Sequence, residues 1–191
     1  MIRLIAEGWL GMQGALRLLT FRKGGEACFN VSMEGFWRSF GGMLFALPLV
    51  MLIHLERNYL GVSVDAATYF SIFFATWISF PIAAGVAVTI VGAQHRFLPW
   101  VILHNWGVVW LYCVIAAIWS LQVIGVINAE LRDFLFFLYG YLRILVHWRI
   151  AYVTLGLPTI TSAFTAAVPA LVSFIVLVGI SQALAATPAG S

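Results

Sequence analysis

The chain has 191 residues, 63% of them hydrophobic and only 9% charged, with a formal net charge of +3. Soluble domains carry roughly 25% charged residues, and a fold of this size has too little interior to hide so much apolar side chain. The composition excludes an ordinary soluble domain, gives no reason to expect a nucleic-acid partner, and predicts an all-α, polytopic membrane bundle.

Residues 1–30 read as an amphipathic segment on the cytoplasmic face. Ile2, Ile5, Trp9, Met12, Leu16 and Leu19 recur at spacings of three and four, which places them on one helical stripe. Arg3, Glu7, Gly14 and Arg17 fall on the opposite side. Gly8, Gly11 and Gly14 each weaken a helix by up to ~1 kcal/mol relative to alanine, so an interface or a protein surface must help hold it. The expectation is a helix in the headgroup plane, with Trp9, Arg17, Arg22, Lys23, Trp37 and Arg38 contacting membrane lipids, anionic ones above all. A helix packed against the bundle is the alternative. Glu7 interrupts the apolar region and no small-x-small site follows it, so the segment is not read as a cleaved signal peptide.

Arg22-Lys23-Gly24-Gly25 breaks this helix, and Asn30 or Ser32 is placed to cap the next, with Glu34 in its first turn. A single bundle follows over residues 31–186, with five spans at about 39–55, 67–93, 97–126, 134–157 and 159–186, then a tail at 187–191. Gly41-Gly42 permits close helix contact, and Pro48 and Pro81 interrupt the first two spans. Basic residues concentrate on one side: Arg3, Arg17, Arg22, Lys23, Arg38 and Arg96. The other side holds Arg57 and Arg132 among the acids Glu56, Asp65, Glu130 and Asp133. The positive-inside rule then predicts a bacterial inner-membrane protein with a cytoplasmic N-terminus and, after five spans, a periplasmic C-terminus.

Two polar interruptions stand out. His104-Asn105-Trp106 sits in the third span, and Arg143, His147 and Arg149 sit in the fourth. At 1.5 Å per residue, His104 lies about 10 Å, His147 about 15 Å, Arg149 about 12 Å and Arg143 about 21 Å from the cytoplasmic ends of their helices. His104, Asn105, His147 and Arg149 therefore share one layer, and Arg143 shares a face with His147. An arginine at this depth costs at least ~2.5–3.5 kcal/mol and must face a partner or water, yet the predicted spans contain no acid. His104, Asn105, Tyr112, Gln122, freed backbone carbonyls or a group from another molecule are the candidates to satisfy it.

Three functions fit this pattern. The first is a non-enzymatic accessory or scaffold subunit that binds other integral membrane subunits as a homo- or hetero-oligomer. The second is a protein that binds or transports a lipid, a quinone or a small anion through Arg143, His147, His104, Asn105 and Arg149. The third is a redox subunit with haem b ligated by His104 and His147. The first carries the expectation, with no enzyme activity, no cofactor and no metal site. The motifs of serine hydrolases, zinc proteases and phosphate loops are absent. Cys28 and Cys113 fall in different segments and are not expected to pair.

Three stretches carry a resemblance: Phe29 to Phe40 with Ser32-Met-Glu-Gly-Phe-Trp-Arg, Arg96 to Trp106, and Trp148 to Gly156. With five spans, they resemble small bacterial inner-membrane proteins of loosely Yip1-like layout. The resemblance implies membrane organisation or partner binding and carries no catalytic role. His104 departs from the small or aromatic residue expected before Asn-Trp.

Overall fold

The computed structural model describes residues 2–62 and 64–185; the tail at 187–191 lies outside the described residues. The described residues form seven α-helices: α1 (Ile2–Leu19), α2 (Met33–Ser39), α3 (Gly41–Tyr59), α4 (Ala66–Ile90), α5 (Phe97–Val123), α6 (Ala129–Leu155) and α7 (Thr159–Ala185). Five runs are long and apolar enough to cross a membrane: Met33–Tyr59, Ala66–Ile90, Gln94–Val123, Ala129–Leu155 and Thr159–Gln182.

Local chemistry sets the helix ends. Ser32 caps α2 by accepting the Gly35 N–H at 3.0 Å, and Asp65 caps α4 by accepting the Thr68 N–H at 2.9 Å. Asn128 does the same for α6 from Leu131 at 2.9 Å, so that helix begins at Ala129, ahead of its apolar span. Gly156 closes α6 with φ +66°, a left-handed conformation that a side chain would oppose, and Pro158 follows.

The bundle is organised around α5. Every residue from Trp100 to Gly107 is buried, and α5 packs against α1, α2, α3, α4 and α6. A helix enclosed on all sides has no polar face to spare, which explains its nearly unbroken apolar sequence. The α3–α5 contact is close. A Cβ on Gly42 would lie 2.6 Å from the Asn105 carbonyl oxygen, so only glycine lets these backbones approach. Gly42 of the Gly41-Gly42 pair thus has the role its sequence implied.

The other long helices pack differently. α4 runs along α7 in the most extensive helix pair of the bundle. α6 buries only Val146, Ile150, Ala151, Thr154 and Leu155, all in its C-terminal half. Its first half touches α5 through Phe136 and Arg132 at Trp119 but leaves Phe134, Phe137, Leu138 and Tyr141 exposed.

α1 docks on the bundle through Gly8, Gly11, Gly14, Ala15 and Leu18 rather than through the apolar stripe read from sequence. The large side chains on the other side of the contact decide this. A Cβ on Gly11 would sit 2.9 Å from the Trp106 indole, and Phe45 presses on Gly8. The glycines that weaken the isolated helix are the docking surface. Three polar ties fix the pose. Arg38 Nη1 bonds Glu7 Oε2 at 2.9 Å, Trp110 Nε1–H donates to the Met12 carbonyl at 3.0 Å, and Arg149 Nε–H donates to the Leu18 carbonyl at 3.1 Å. Ile5, Trp9 and Leu16 remain exposed, while Met12 and Leu19 are half-buried.

Candidate functional site

A cavity of about 690 Å³ lies among α4, α5, α6 and α7. α7 turns alanines into it, Ala163, Ala166, Ala167 and Ala170, so small side chains leave the space unfilled. Ser79 of α4 and Ser173 of α7 approach to 3.4 Å between their hydroxyls, holding those two helices together beside the cavity. The walls are mainly hydrocarbon and aromatic, interrupted by His104, Tyr112, Tyr139, Arg143, His147, Thr76 and Ser173. Apolar walls with a few convergent polar groups are the usual character of a small-molecule site.

The two histidines come from facing helices and meet there. Their rings lie edge to face with centroids 5.2 Å apart. His104 stacks flat on Phe80 at 3.2 Å between centroids, and its Nδ1 is buried without a partner. His147 Nδ1 lies 2.8 Å from the Arg143 carbonyl oxygen. A carbonyl only accepts, so Nδ1 carries the proton and donates. The guanidinium of Arg143 makes no hydrogen bond or ion pair among the described residues, and no carboxylate lines the cavity. Arg143 is exposed and lines the same cavity as His104, His147 and Tyr112.

Asn105 and Arg149, expected in the same layer, are at that level but face elsewhere. Adjacent helical residues point about 100° apart, so His104 and Asn105 cannot both face α6. Asn105 lies wholly buried with its backbone against Gly42 of α3, and its Nδ2 donates at 2.9 Å to the Oγ of Ser39 at the end of α2, which in turn donates to the Phe36 carbonyl at 2.7 Å. Asn105 Oδ1 has no partner. Arg149 points to α1, with its guanidinium 4.5 Å above the Phe21 ring centroid and 5.7 Å from that of Tyr152.

The residues expected at the lipid interface divide in two. Trp9 and Trp37 are 62% and 65% exposed, and Arg17, Arg22 and Lys23 are exposed as well. Arg38 is instead occupied by Glu7 and Glu34. The haem arrangement finds no support in the geometry. Two axial imidazoles hold the iron and its flat macrocycle between them, whereas these two rings touch each other.

Sequence reasoning missed several groups. Tyr139, Thr76 and Ser173 look like ordinary span residues, and no pattern in the sequence marked the void. At the opposite end of the bundle Glu56, read as a loop boundary, is 8% exposed and accepts a 2.5 Å hydrogen bond from Ser120 Oγ. Arg57 and Arg132 both lie over the nearby Trp119 ring, at 5.7 and 5.2 Å. The free thiols are separate, with Cys28 beside Gly14 and Cys113 on a groove beside α1.

Fold and site together define a helical bundle with five helices fit to span a membrane and a polar-tipped cavity among four of them. No family model, curated protein or solved structure matches the chain.

Proposed function

We propose that the protein is a multi-pass bacterial inner-membrane protein that holds an amphipathic, lipid-like molecule with an anionic head in the cavity among α4, α5, α6 and α7. The observation that carries this reading is Arg143, a cation on the cavity wall with no acid to balance it. Intramembrane ionisable residues face partners or functional cavities, because leaving them in hydrocarbon is costly. An anionic head would neutralise Arg143, the Tyr112 and Tyr139 hydroxyls would donate to it, and a hydrocarbon tail would lie along the apolar wall. The N-terminus lies on the cytoplasmic side, with Arg17, Arg22, Lys23 and Arg96, and Trp9 of α1 and Trp37 of α2 sit at the headgroup level.

The test is organic extraction of the purified protein followed by mass spectrometry. Wild type should carry a ligand in stoichiometric amount. Hydrogen bonds to charged groups contribute about 1.5–3 kcal/mol, so Arg143→Ala should lower occupancy affinity by roughly 10- to 100-fold. A wild-type protein without ligand, or an Arg143→Ala protein as fully loaded, would overturn the reading. Recovery of a quinone or a free anion would keep the site and change its ligand.

A second reading, a non-enzymatic accessory subunit of a larger membrane assembly, draws on α6, whose first half exposes Phe134, Phe137 and Tyr141. A stoichiometric membrane partner in gentle detergent would support it, and a stable solitary monomer would refute it.

A further inference from the structure

A second concavity of about 410 Å³ lies on the other side of α6, between the end of α1, α5 and α6. We propose that this groove seats one acyl chain of an anionic phospholipid, with its phosphate on Arg149. The site is separate from the Arg143 cavity and does not depend on it.

Three observations converge. The groove is apolar along its length, lined by Leu16 and Leu19 of α1, Val114 and Ala117 of α5, and Leu142 and Val146 of α6, with Arg149 at one end. Its polarity also runs the right way. Arg149 lies six residues, about 9 Å, from the C-terminal end of α6, and Leu142 lies seven residues, about 10 Å, further in. A lipid entering from that leaflet has its phosphate at the outer level and its chain pointing inward, in the same sense.

The third observation is charge. Arg149 spends its Nε–H on the Leu18 carbonyl and rests on Phe21, which fixes the guanidinium plane. Its terminal nitrogens make no hydrogen bond or ion pair among the described residues. Arg17, Arg22 and Lys23 are exposed on the same end of α1. A planar, pre-positioned guanidinium suits bidentate contact with a phosphate, and nearby lysines and arginines raise the local preference for anionic lipid. The hydrocarbon walls select a lipid over free phosphate.

The test uses the full chain in nanodiscs of equal parts phosphatidylglycerol and phosphatidylcholine, with retained lipid read by native mass spectrometry. Wild type should retain one phosphatidylglycerol in at least tenfold preference. Arg149→Gln should abolish most of that preference, and Arg149→Lys should keep part of it. Ala117→Trp, at an exposed groove position that ties no helices together, should reduce phosphatidylglycerol retention by filling the channel. It carries the test if Arg149→Gln loosens α1. Arg143→Gln should leave the preference intact, which separates this site from the cavity. Equal retention of the two lipids by wild type, or an undiminished preference in both Arg149→Gln and Ala117→Trp, would overturn the proposal.

Discussion

Replacing Gly42 with alanine probes the close backbone contact between α3 and α5. The new Cβ would sit 2.6 Å from the Asn105 carbonyl oxygen, while ordinary contacts begin near 3.4 Å. The obstructing atom is backbone, so no rotamer change relieves it. α3 must instead move away from α5 by several tenths of an ångström, loosening Ala46, Val50 and Ile53, all now buried at 2% exposure or less. Overpacking of this kind costs about 1–3 kcal/mol, and alanine's helix propensity returns at most ~1 kcal/mol. We expect a net loss of roughly 1–2 kcal/mol. Gly140 is the control. A Cβ there meets nothing within 4 Å, so Gly140→Ala should leave stability unchanged or raise it by up to ~1 kcal/mol. Reversible unfolding in mixed micelles, titrated with a denaturing detergent, reads both. If Gly42→Ala proves as stable as Gly140→Ala, the close approach of α3 and α5 is wrong.

Two further outcomes are expected. Ser39→Ala removes the acceptor of the buried Asn105 amide and should destabilise by about 1–3 kcal/mol. Adding Asn105→Leu should restore part of that loss in the same unfolding assay, since both polar groups are then gone; a purely additive double variant would refute the coupling. At the start of α4, the Thr68 backbone and hydroxyl hold the Asp65 carboxyl below its usual range. A depressed folded pKa means that the cap contributes above the unfolded value of about 3.9 and fades as pH falls through the lower folded one. Hydrogen exchange at the first turn of α4 should therefore be faster in Asp65→Ala than in wild type at neutral pH, with the difference shrinking in acid. A difference that grows in acid would contradict the assignment.

Part of the site was legible in the sequence because depth follows from counting residues. His104 and His147 could be placed at comparable levels on neighbouring helices, with Arg143 deeper on the His147 face, and the missing acid marked Arg143. Direction was not legible to the same degree. Asn105 follows His104 by one residue, yet it serves the α3 contact, because Gly42 and Ser39 happen to lie on that side of α5. The cavity itself had no sequence signature. It lies where α7 offers alanines and α6 buries only residues of its C-terminal half, and both are properties of how helices pack together.

α1 shows the same division. Its apolar stripe and its glycines were plain in the sequence, and helical periodicity alone put them on different sides. Which side would meet the bundle depended on partners distant in the chain, Phe45 and Trp106, whose rings fill the space a side chain on α1 would need. Composition, caps and charge bias determined the class, the helices and the expected threading, since these are local or cumulative properties. Tertiary packing decided which faces touch, what remains open and which cations go unpaired, because those depend on shape complementarity between residues the sequence keeps far apart.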